Sequence, residues 1–123
     1  MNRAGAKNKR IVLVTCPSVA LARKIARAVV EKRLAACVNI MLSAVESLYT
    51  WKGKVERTRE YLLVMKTTAK CLVELENEVK RLHSYNVPEF IALRITEGSK
   101  KYLLWMDDSV ATRARIVNSP RHS

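Results

Sequence analysis

The sequence has few of the residues that build several common functional sites. Its 123 residues include only three glycines, which lie far apart, so nucleotide binding of the P-loop or Rossmann type is excluded. Its three cysteines form no C-x-x-C pair, which excludes a zinc knuckle and a dithiol redox motif. Aromatic residues make up 6% of the chain, and the first predicted strand has none. This scarcity argues against an RNA-recognition module, which stacks bases on aromatic strand residues.

Long apolar segments are also missing. No stretch approaches the roughly 20 uncharged apolar residues of a membrane span, and no apolar run of signal-peptide length follows the first charged residues. The sequence therefore predicts a cytoplasmic protein without membrane contact. A chain of this length can form the core of one domain without disulfides, so Cys16, Cys37 and Cys71 are predicted to be reduced, buried thiols.

Positive charge is abundant but unevenly distributed. The net charge of +12 comes from 23 Lys and Arg residues against 11 Asp and Glu residues. Seven of the basic residues lie in residues 1–10 and 111–123, and neither of these ends contains an acid. We therefore predict two flexible basic tails around one domain at residues 11–110. This distribution favours no specific nucleic-acid partner, although the tails could contact polyanions weakly and in a salt-sensitive way.

Hydropathy periodicity predicts four strands and three helices. The predicted strands are 11–16, 34–51, 55–67 and 90–96, and the predicted helices are 19–33, 68–83 and 100–110. The order β-α-β-β-α-β, followed by a short C-terminal helix, favours an α+β fold of the ferredoxin-like type. This fold hosts enzymes, regulators and RNA-binding proteins alike, so it leaves the function open.

A long hairpin is predicted between the second and third strands. Lys52, Gly53 and Lys54 supply its turn, and its outer half is polar, so it should extend beyond the body of a monomer. Unpaired strand edges invite pairing with another chain. We therefore expect the protein to form an oligomer.

A set of ionisable and aromatic residues could line one cleft as ligand-binding or acid/base groups. The set comprises Tyr49, Trp51, Lys66, His83, Tyr85, Glu89 and Trp105. Structural roles are the alternative at this point. His83 could cap a helix, Lys66 and Glu89 could form a surface ion pair, and the aromatic rings could edge the core.

Five short segments occur in order and with compatible spacing over roughly residues 11–110. They are LAACVNI at 34–40, SLYTWKGK at 47–54, KTT at 66–68, YNVPE at 85–89 and YLLW at 102–105. This series closely resembles the CutA family of divalent-cation tolerance proteins. The resemblance implies a ferredoxin-like homotrimer whose long hairpins pair between subunits. It also implies a role in divalent metal tolerance or signalling, with no catalysed reaction.

The resemblance also implies a candidate copper site. Bacterial members with a described site use a cysteine in the first strand and two adjacent histidines before the Pro-Tyr of a loop. His83 matches the second histidine, while Leu82 occupies the position of the first and Ser84 replaces the proline. Val14 stands where the cysteine would be, and Cys16 lies two residues further, on the same face but about 6 to 7 Å along the strand. His83 and Cys16 are therefore the expected copper ligands, because thiolate and imidazole suit Cu(I).

A different class of function stays open beside metal tolerance. The seven residues of the predicted cleft could meet at a subunit boundary and bind a small molecule, for example an anionic one. The protein would then be a small-molecule sensor, or an enzyme that uses an inter-subunit cleft.

Overall fold

The computed structural model describes residues 3–110, which form a five-stranded antiparallel sheet and three helices. The strands are β1 (Lys9–Cys16), β2 (Cys37–Ile40), β3 (Val45–Trp51), β4 (Lys54–Thr68) and β5 (Ile91–Arg94). The helices are α1 (Val19–Glu31), α2 (Leu72–Leu82) and α3 (Lys100–Ser109). None of these helices is long and apolar enough to span a membrane.

The strand order confirms the predicted ferredoxin-like fold. The sheet runs β2-β4-β1-β5, and β3 pairs with the outer half of the long strand β4. The two central strands are therefore β1 and β4, and the two α/β crossovers through α1 and α2 leave from their ends. Every pairing is antiparallel, as the split βαβ arrangement requires.

One face of the sheet carries the main core. Val12 pairs with Met65 and Val14 with Leu63, and all four side chains are fully buried. Because strand residues alternate between faces, these positions point together towards α1 and α2. The helices contribute the buried residues Ala22, Ile25, Val29, Leu75 and Val79. Helix α1 begins where the Ser18 hydroxyl accepts a hydrogen bond from the Leu21 amide, 3.1 Å away.

The opposite face of the sheet is partly uncovered in the single chain. Ile11 pairs with Leu93 and Leu13 with Ile91, which places these four apolar side chains on that face. Ile91 and Leu93 are exposed, and Ile11 and Leu13 are half-buried. This face therefore leaves apolar surface exposed on its β5 side.

The predicted long hairpin is present, but its first strand is interrupted. Residues 41–44 separate β2 from β3, where the sequence predicted one strand over 34–51. Met41 and Leu42 in this break are apolar but exposed, so an apolar run here does not indicate a buried strand. The turn has positive φ at Lys52 (52°) and Gly53 (78°), which matches a tight hairpin turn.

The structure corrects the predicted N-terminal tail. Within residues 1–10, a 3-10 turn spans Ala4–Ala6, Ala6 is fully buried against α3, and β1 begins at Lys9. Lys9 is 1% exposed, and its ammonium donates to the Gly5 carbonyl and to the side chains of Asn8 and Asp107. A polar partner on α3 therefore allows this basic segment to pack. The predicted tail 111–123 lies outside the described residues.

Helix α2 starts later than the sequence predicted. A 3-10 turn at Ala69–Cys71 precedes it, and regular α-helix runs from Leu72 to Leu82 instead of over 68–83. His83 is the C-terminal capping residue, with its amide donating to the Val79 carbonyl at 2.9 Å. The loop after it lies at the root of the hairpin, where the candidate site begins.

Candidate functional site

His83 is a nearly buried imidazole that ties the loop after α2 to the end of β1. Its Nδ1 accepts a hydrogen bond from the Tyr85 amide at 3.0 Å, so Nδ1 carries no proton. Its Nε2 lies 2.7 Å from the Thr15 carbonyl and therefore donates its proton there. His83 is 9% exposed, and both ring nitrogens are already engaged. In this arrangement His83 has no free lone pair for a metal.

Tyr85 connects the same loop to the hairpin. Its hydroxyl donates to Glu60 Oε2 at 3.0 Å, and its ring lies 4.7 Å from the His83 ring, measured between centroids. Glu60 is 7% exposed and stands opposite Val45 in the β3-β4 ladder. Burial, followed by the bond to Glu60, raises the pKa of Tyr85 to about 12. The phenol therefore stays protonated at neutral pH and remains a donor.

Three further groups lie near Glu60 or Tyr85. Burial raises the pKa of the Cys16 thiol to about 11, with the Glu60 charge as the second cause. Burial also raises the pKa of Glu89, again with Glu60 as the second cause. Tyr49 on β3 lies close enough to contribute to the raised pKa of Tyr85. We call Cys16, Tyr49, Glu60, His83, Tyr85 and Glu89 the Glu60 cluster.

Two members of the Glu60 cluster, Cys16 and Tyr85, have raised pKa values and keep their protons at neutral pH. A thiol and a phenol beside a buried carboxylate are both disfavoured in their anionic forms. A thiolate is the form that attacks or ligates, so Cys16 is a poor nucleophile and a poor metal ligand at neutral pH. The cluster therefore resembles a hydrogen-bonded junction between hairpin and loop more than a reactive centre.

Lys66 and Trp105, two members of the predicted cleft, lie outside the Glu60 cluster. Lys66 is six residues from Glu60 on β4, which is about 20 Å along an extended strand. Its ammonium donates to the Asn39 side chain on β2 instead of pairing with Glu89. The Trp105 ring stacks against Tyr102 on α3, with centroids 5.3 Å apart.

The predicted cleft residues therefore do not meet in one place. Tyr49, His83, Tyr85 and Glu89 lie in the Glu60 cluster, whereas Lys66 contacts Asn39 on β2 and Trp105 contacts Tyr102 on α3. Trp51 is exposed at the hairpin tip, opposite Lys54. Within one chain the structure thus brings four of the seven residues together, in the Glu60 cluster.

Sequence reasoning missed Glu60, which joins this group. It stands among the polar residues of the outer hairpin, so it looked like a solvent-facing acid. One signal was available, because Glu60 immediately precedes the apolar run Tyr61, Leu62, Leu63 and Val64, where β4 enters the body. Its partner Tyr85 is 25 residues away, which no local pattern reveals.

The residues present do not form a ready copper site. Among residues 3–110, no group of three or more His, Cys, Asp or Glu side chains is arranged to hold a metal ion. The His83 ring is fully hydrogen-bonded, and the Cys16 thiol is buried with a raised pKa. A metal would have to displace the Tyr85 amide from Nδ1 before it could bind.

Comparison with known proteins identifies relatives over almost the whole described chain. Residues 10–109 match the family described as CutA1 divalent ion tolerance protein. The divalent-cation tolerance protein CutA of Thermus thermophilus is 48% identical over 101 residues, covering 82% of this chain and 97% of that protein. A solved structure of a divalent cation tolerance protein from Thermus thermophilus matches with a TM-score of 0.82 and 47% identity, covering 84% of this chain and 99% of that one.

Animal relatives are longer than the matched region. Protein CutA of Homo sapiens is 47% identical over 93 residues, which cover 76% of this chain and 51% of the human protein. The match thus extends over about half of the human protein. The shared part is the folded domain described above.

Proposed function

We propose, because this chain belongs to the CutA1 divalent ion tolerance protein family, that it is a homotrimer that supports tolerance to divalent cations without catalysing a reaction. The family match over residues 10–109 is the observation that carries this function. A cytoplasmic location stays a prediction of the sequence.

The trimer is supported by apolar surface that the single chain leaves open. Leu48, Trp51 and Val55 on the hairpin are exposed, as are Ile91 and Leu93 on the sheet face. Strand β2 and strand β5 are the two edges of the main sheet, with unpaired backbone groups. Exposed apolar patches bordered by strand edges are typical of surfaces that bind another chain.

Light scattering on the purified protein at micromolar concentration tests this assembly. The expected mass is about 42 kDa, three times the 14.0 kDa of one chain. Obligate interfaces commonly bury more than roughly 2,000 Å², so the mass should not fall on dilution to nanomolar protein. A mass of one chain under native conditions would contradict the trimer.

We propose that His83 would hold copper only weakly, because both of its ring nitrogens are already hydrogen-bonded. Binding requires Nδ1 to release the Tyr85 amide, and that lost hydrogen bond lowers the affinity. Cys16 adds little, because its raised pKa keeps the thiol protonated.

Calorimetry under reducing conditions tests the role of His83 directly. Wild-type protein should bind copper weakly, His83→Ala should lose that binding, and Cys16→Ser should change it little. Equal copper affinity in wild type and His83→Ala would remove His83 from the proposal.

Growth of a copper-sensitive bacterial strain tests tolerance itself. Expression of this chain should raise the copper concentration that the cells withstand, compared with an empty vector. A matched variant, His83→Ala, separates direct copper binding from tolerance by another route. Equal growth with chain and vector would contradict a tolerance role.

A further inference from the structure

Helix α1 has a solvent-facing side that is strongly basic. Arg23, Lys24 and Arg27 are all exposed there. Residues three and four apart are neighbours on the surface of a helix, so Arg27 lies beside both Arg23 and Lys24. The opposite side of α1 is buried in the main core. We call Arg23, Lys24 and Arg27 the α1 basic face.

The charges of the α1 basic face are poorly compensated. Within residues 3–110, no ion pair involves Arg23 or Lys24. Arg27 pairs with Glu31 at 3.3 Å, but the two side chains are 78% and 64% exposed, so water and salt screen this pair. Helix α2, which packs beside α1, instead pairs its exposed Lys80 with Glu76. An excess of one charge is therefore a feature of α1 and not of the whole helical layer.

Helix stability does not explain the α1 basic face. Like charges three or four residues apart repel each other and destabilise a helix. A polyanion that lies along the face would replace this repulsion with attraction. The alternative is that these residues only keep the protein soluble. In that case any three exposed basic residues would matter equally for binding a polyanion.

The residue types of the face suit phosphate groups. An arginine guanidinium can bind a phosphate through two parallel hydrogen bonds, and the face has two arginines. Arg23 and Arg27 are about 6 Å apart along the helix axis. A nucleic-acid duplex carries one negative charge per roughly 1.7 Å of its axis, so a row of this length faces several phosphates.

Helix α1 lacks the groups that other phosphate-bearing partners use. It has no aromatic residue on which the bases of a single strand could stack. Its apolar side is buried in the core, so it cannot insert into a bilayer as an interfacial helix does. The phosphate backbone of a duplex is therefore the partner that fits this face.

The α1 basic face is separate from the surfaces proposed for assembly. The helices cover one face of the sheet, whereas the exposed residues Ile91 and Leu93 lie on the other face. The proposed trimer uses that other face and the hairpin. Three copies of the α1 basic face would therefore remain open to solvent.

We propose that the α1 basic face binds the phosphate backbone of a nucleic-acid duplex, independently of base sequence. The sequence favours no specific nucleic-acid partner, and a backbone contact requires none. The proposal goes beyond metal tolerance. Each single chain carries the face, so its test is independent of the copper site and of the trimer.

Fluorescence anisotropy with labelled duplexes measures binding by the full chain. Two duplexes of unrelated sequence, each of about 24 base pairs, should bind with micromolar affinity at about 50 mM salt and agree within about twofold. The affinity should fall steeply towards about 200 mM salt, because binding releases counterions from the duplex. A thymidine single strand of the same length should bind more weakly. Tighter binding of the single strand, or no binding of either duplex, would overturn the proposal.

A triple variant tests the face itself. Arg23→Gln, Lys24→Gln and Arg27→Gln together should lower the affinity about tenfold or more. They should also reduce the slope of log affinity against log salt by about two to three, one for each lost phosphate contact. The double variant Arg23→Lys and Arg27→Lys keeps the charge and should retain most of the affinity. All these side chains are exposed, so thermal unfolding should match that of the wild type.

Two control variants remove the same charge elsewhere. The first changes three exposed lysines at the hairpin turn and on α3, namely Lys54→Gln, Lys100→Gln and Lys101→Gln. The second changes three arginines of residues 111–123, namely Arg113→Gln, Arg115→Gln and Arg121→Gln. Each control should lower the affinity less than about threefold. If either control loses as much affinity as the triple variant of the face, net charge or the C-terminal residues explain the binding and the proposal is wrong.

Vesicles distinguish a nucleic acid from a membrane as the partner. Co-sedimentation uses vesicles of equal parts phosphatidylserine and phosphatidylcholine, at the salt concentration of the duplex titration. The triple variant of the face should lose duplex binding and sediment with vesicles as the wild type does. If it instead loses vesicle binding and keeps duplex binding, the face contacts membranes and the proposal is overturned.

Discussion

Glu78 is a carboxylate that joins the two helices of the core layer. It lies on α2, its side chain is 8% exposed, and it accepts bonds from Arg81 at 3.0 and 2.8 Å and from Lys32 at 2.8 Å. Lys32 is the C-terminal capping residue of α1. The Arg81 hydrogen bonds, followed by those of Lys32, lower the pKa of Glu78 to about 2 against the opposing effect of burial. Two cations from different elements thus converge on one acid.

The substitution Glu78→Gln should lower the free energy of unfolding at pH 7 by about 1 to 3 kcal/mol, because charge-assisted bonds become neutral ones. The folded pKa lies below the unfolded value near 4.5, so this stabilisation is present above pH 4.5 and is lost as pH falls towards 2. Urea unfolding of wild type and variant across this range measures it.

Glu76→Gln is the matched control for Glu78→Gln. Glu76 is on the same helix and pairs with Lys80 at 2.8 Å, but both side chains are largely exposed. Its loss should change the free energy of unfolding by less than about 0.5 kcal/mol. A difference between wild type and Glu78→Gln that is the same at pH 7 and pH 2.5 would contradict the assigned pKa.

The three cysteines should differ in reactivity. Cys37 is half-buried, whereas Cys16 and Cys71 are fully buried. Iodoacetamide should therefore modify Cys37 first in the native protein, as followed by intact mass over time. The Cys16 thiol is slowed twice, by burial and by its raised pKa of about 11. In the Cys37→Ser variant, the rapid alkylation by iodoacetamide should disappear. If rapid alkylation persisted, another thiol would be accessible.

The hairpin is the element that most needs a partner chain. Leu48 on β3 is 64% exposed, and it stands opposite Arg57 with Val55 two residues further along β4. In the proposed trimer, Leu48→Asp would bury three uncompensated carboxylates, which is strongly unfavourable. We expect the mass of the Leu48→Asp variant in light scattering to fall from that of a trimer towards that of one chain.

Val73→Asp provides the control for the hairpin variant. Val73 is 62% exposed on α2, so it matches Leu48 in exposure and side-chain type, but it lies on the helical layer. Its mass should remain that of the wild type. If both variants dissociate, or neither does, the hairpin is not the contact that holds the trimer together.

The elements themselves were largely predictable from the sequence. Alternation at Val12 and Val14 and the three-four repeat through Ile25 and Val29 gave β1 and α1 within a few residues. These patterns predict secondary structure because one face of each element is buried and the other faces solvent. The ferredoxin-like order followed from them, and the structure confirms it.

The remaining features depend on contacts that no local pattern contains. The break at residues 41–44 is invisible because Met41 and Leu42 are apolar but exposed. Lys9 looked like part of a solvated tail, yet Asp107, 98 residues later, pairs with it. The residues of the predicted cleft did not all meet, because strand register, not composition, places Glu60 and Lys66 at different points along β4 and so beside different neighbours.

At the scale of the whole molecule, Lys9 connects the N-terminal segment of the described residues to α3. Its buried ammonium lies 2.9 Å from Asp107 Oδ2 and 2.7 Å from the Gly5 carbonyl. Asp107→Asn removes the anion from a buried cation and should lower the free energy of unfolding by about 1 to 3 kcal/mol. Thermal and urea unfolding measure this loss.

Asp108→Asn is the control at the adjacent position. Its side chain is exposed, and Arg33 contacts its backbone carbonyl, which the substitution keeps. Its stability should stay within about 0.5 kcal/mol of the wild type. An equal loss in both variants would mean that the negative charge of α3, and not the contact with Lys9, is what matters.

The pairing of the N-terminal segment with α3 has a consequence for how the chain can be cut and rejoined. Arg3 reaches Glu97 just before α3, and Lys9 reaches Asp107 near its end, so the two segments run side by side. A linker from residue 110 back to residue 3 need span only about the 15 Å length of a ten-residue helix. The fold can therefore be circularly permuted, with new termini opened at the exposed turn of Lys52 and Gly53, without separating any pair of strands in the main sheet.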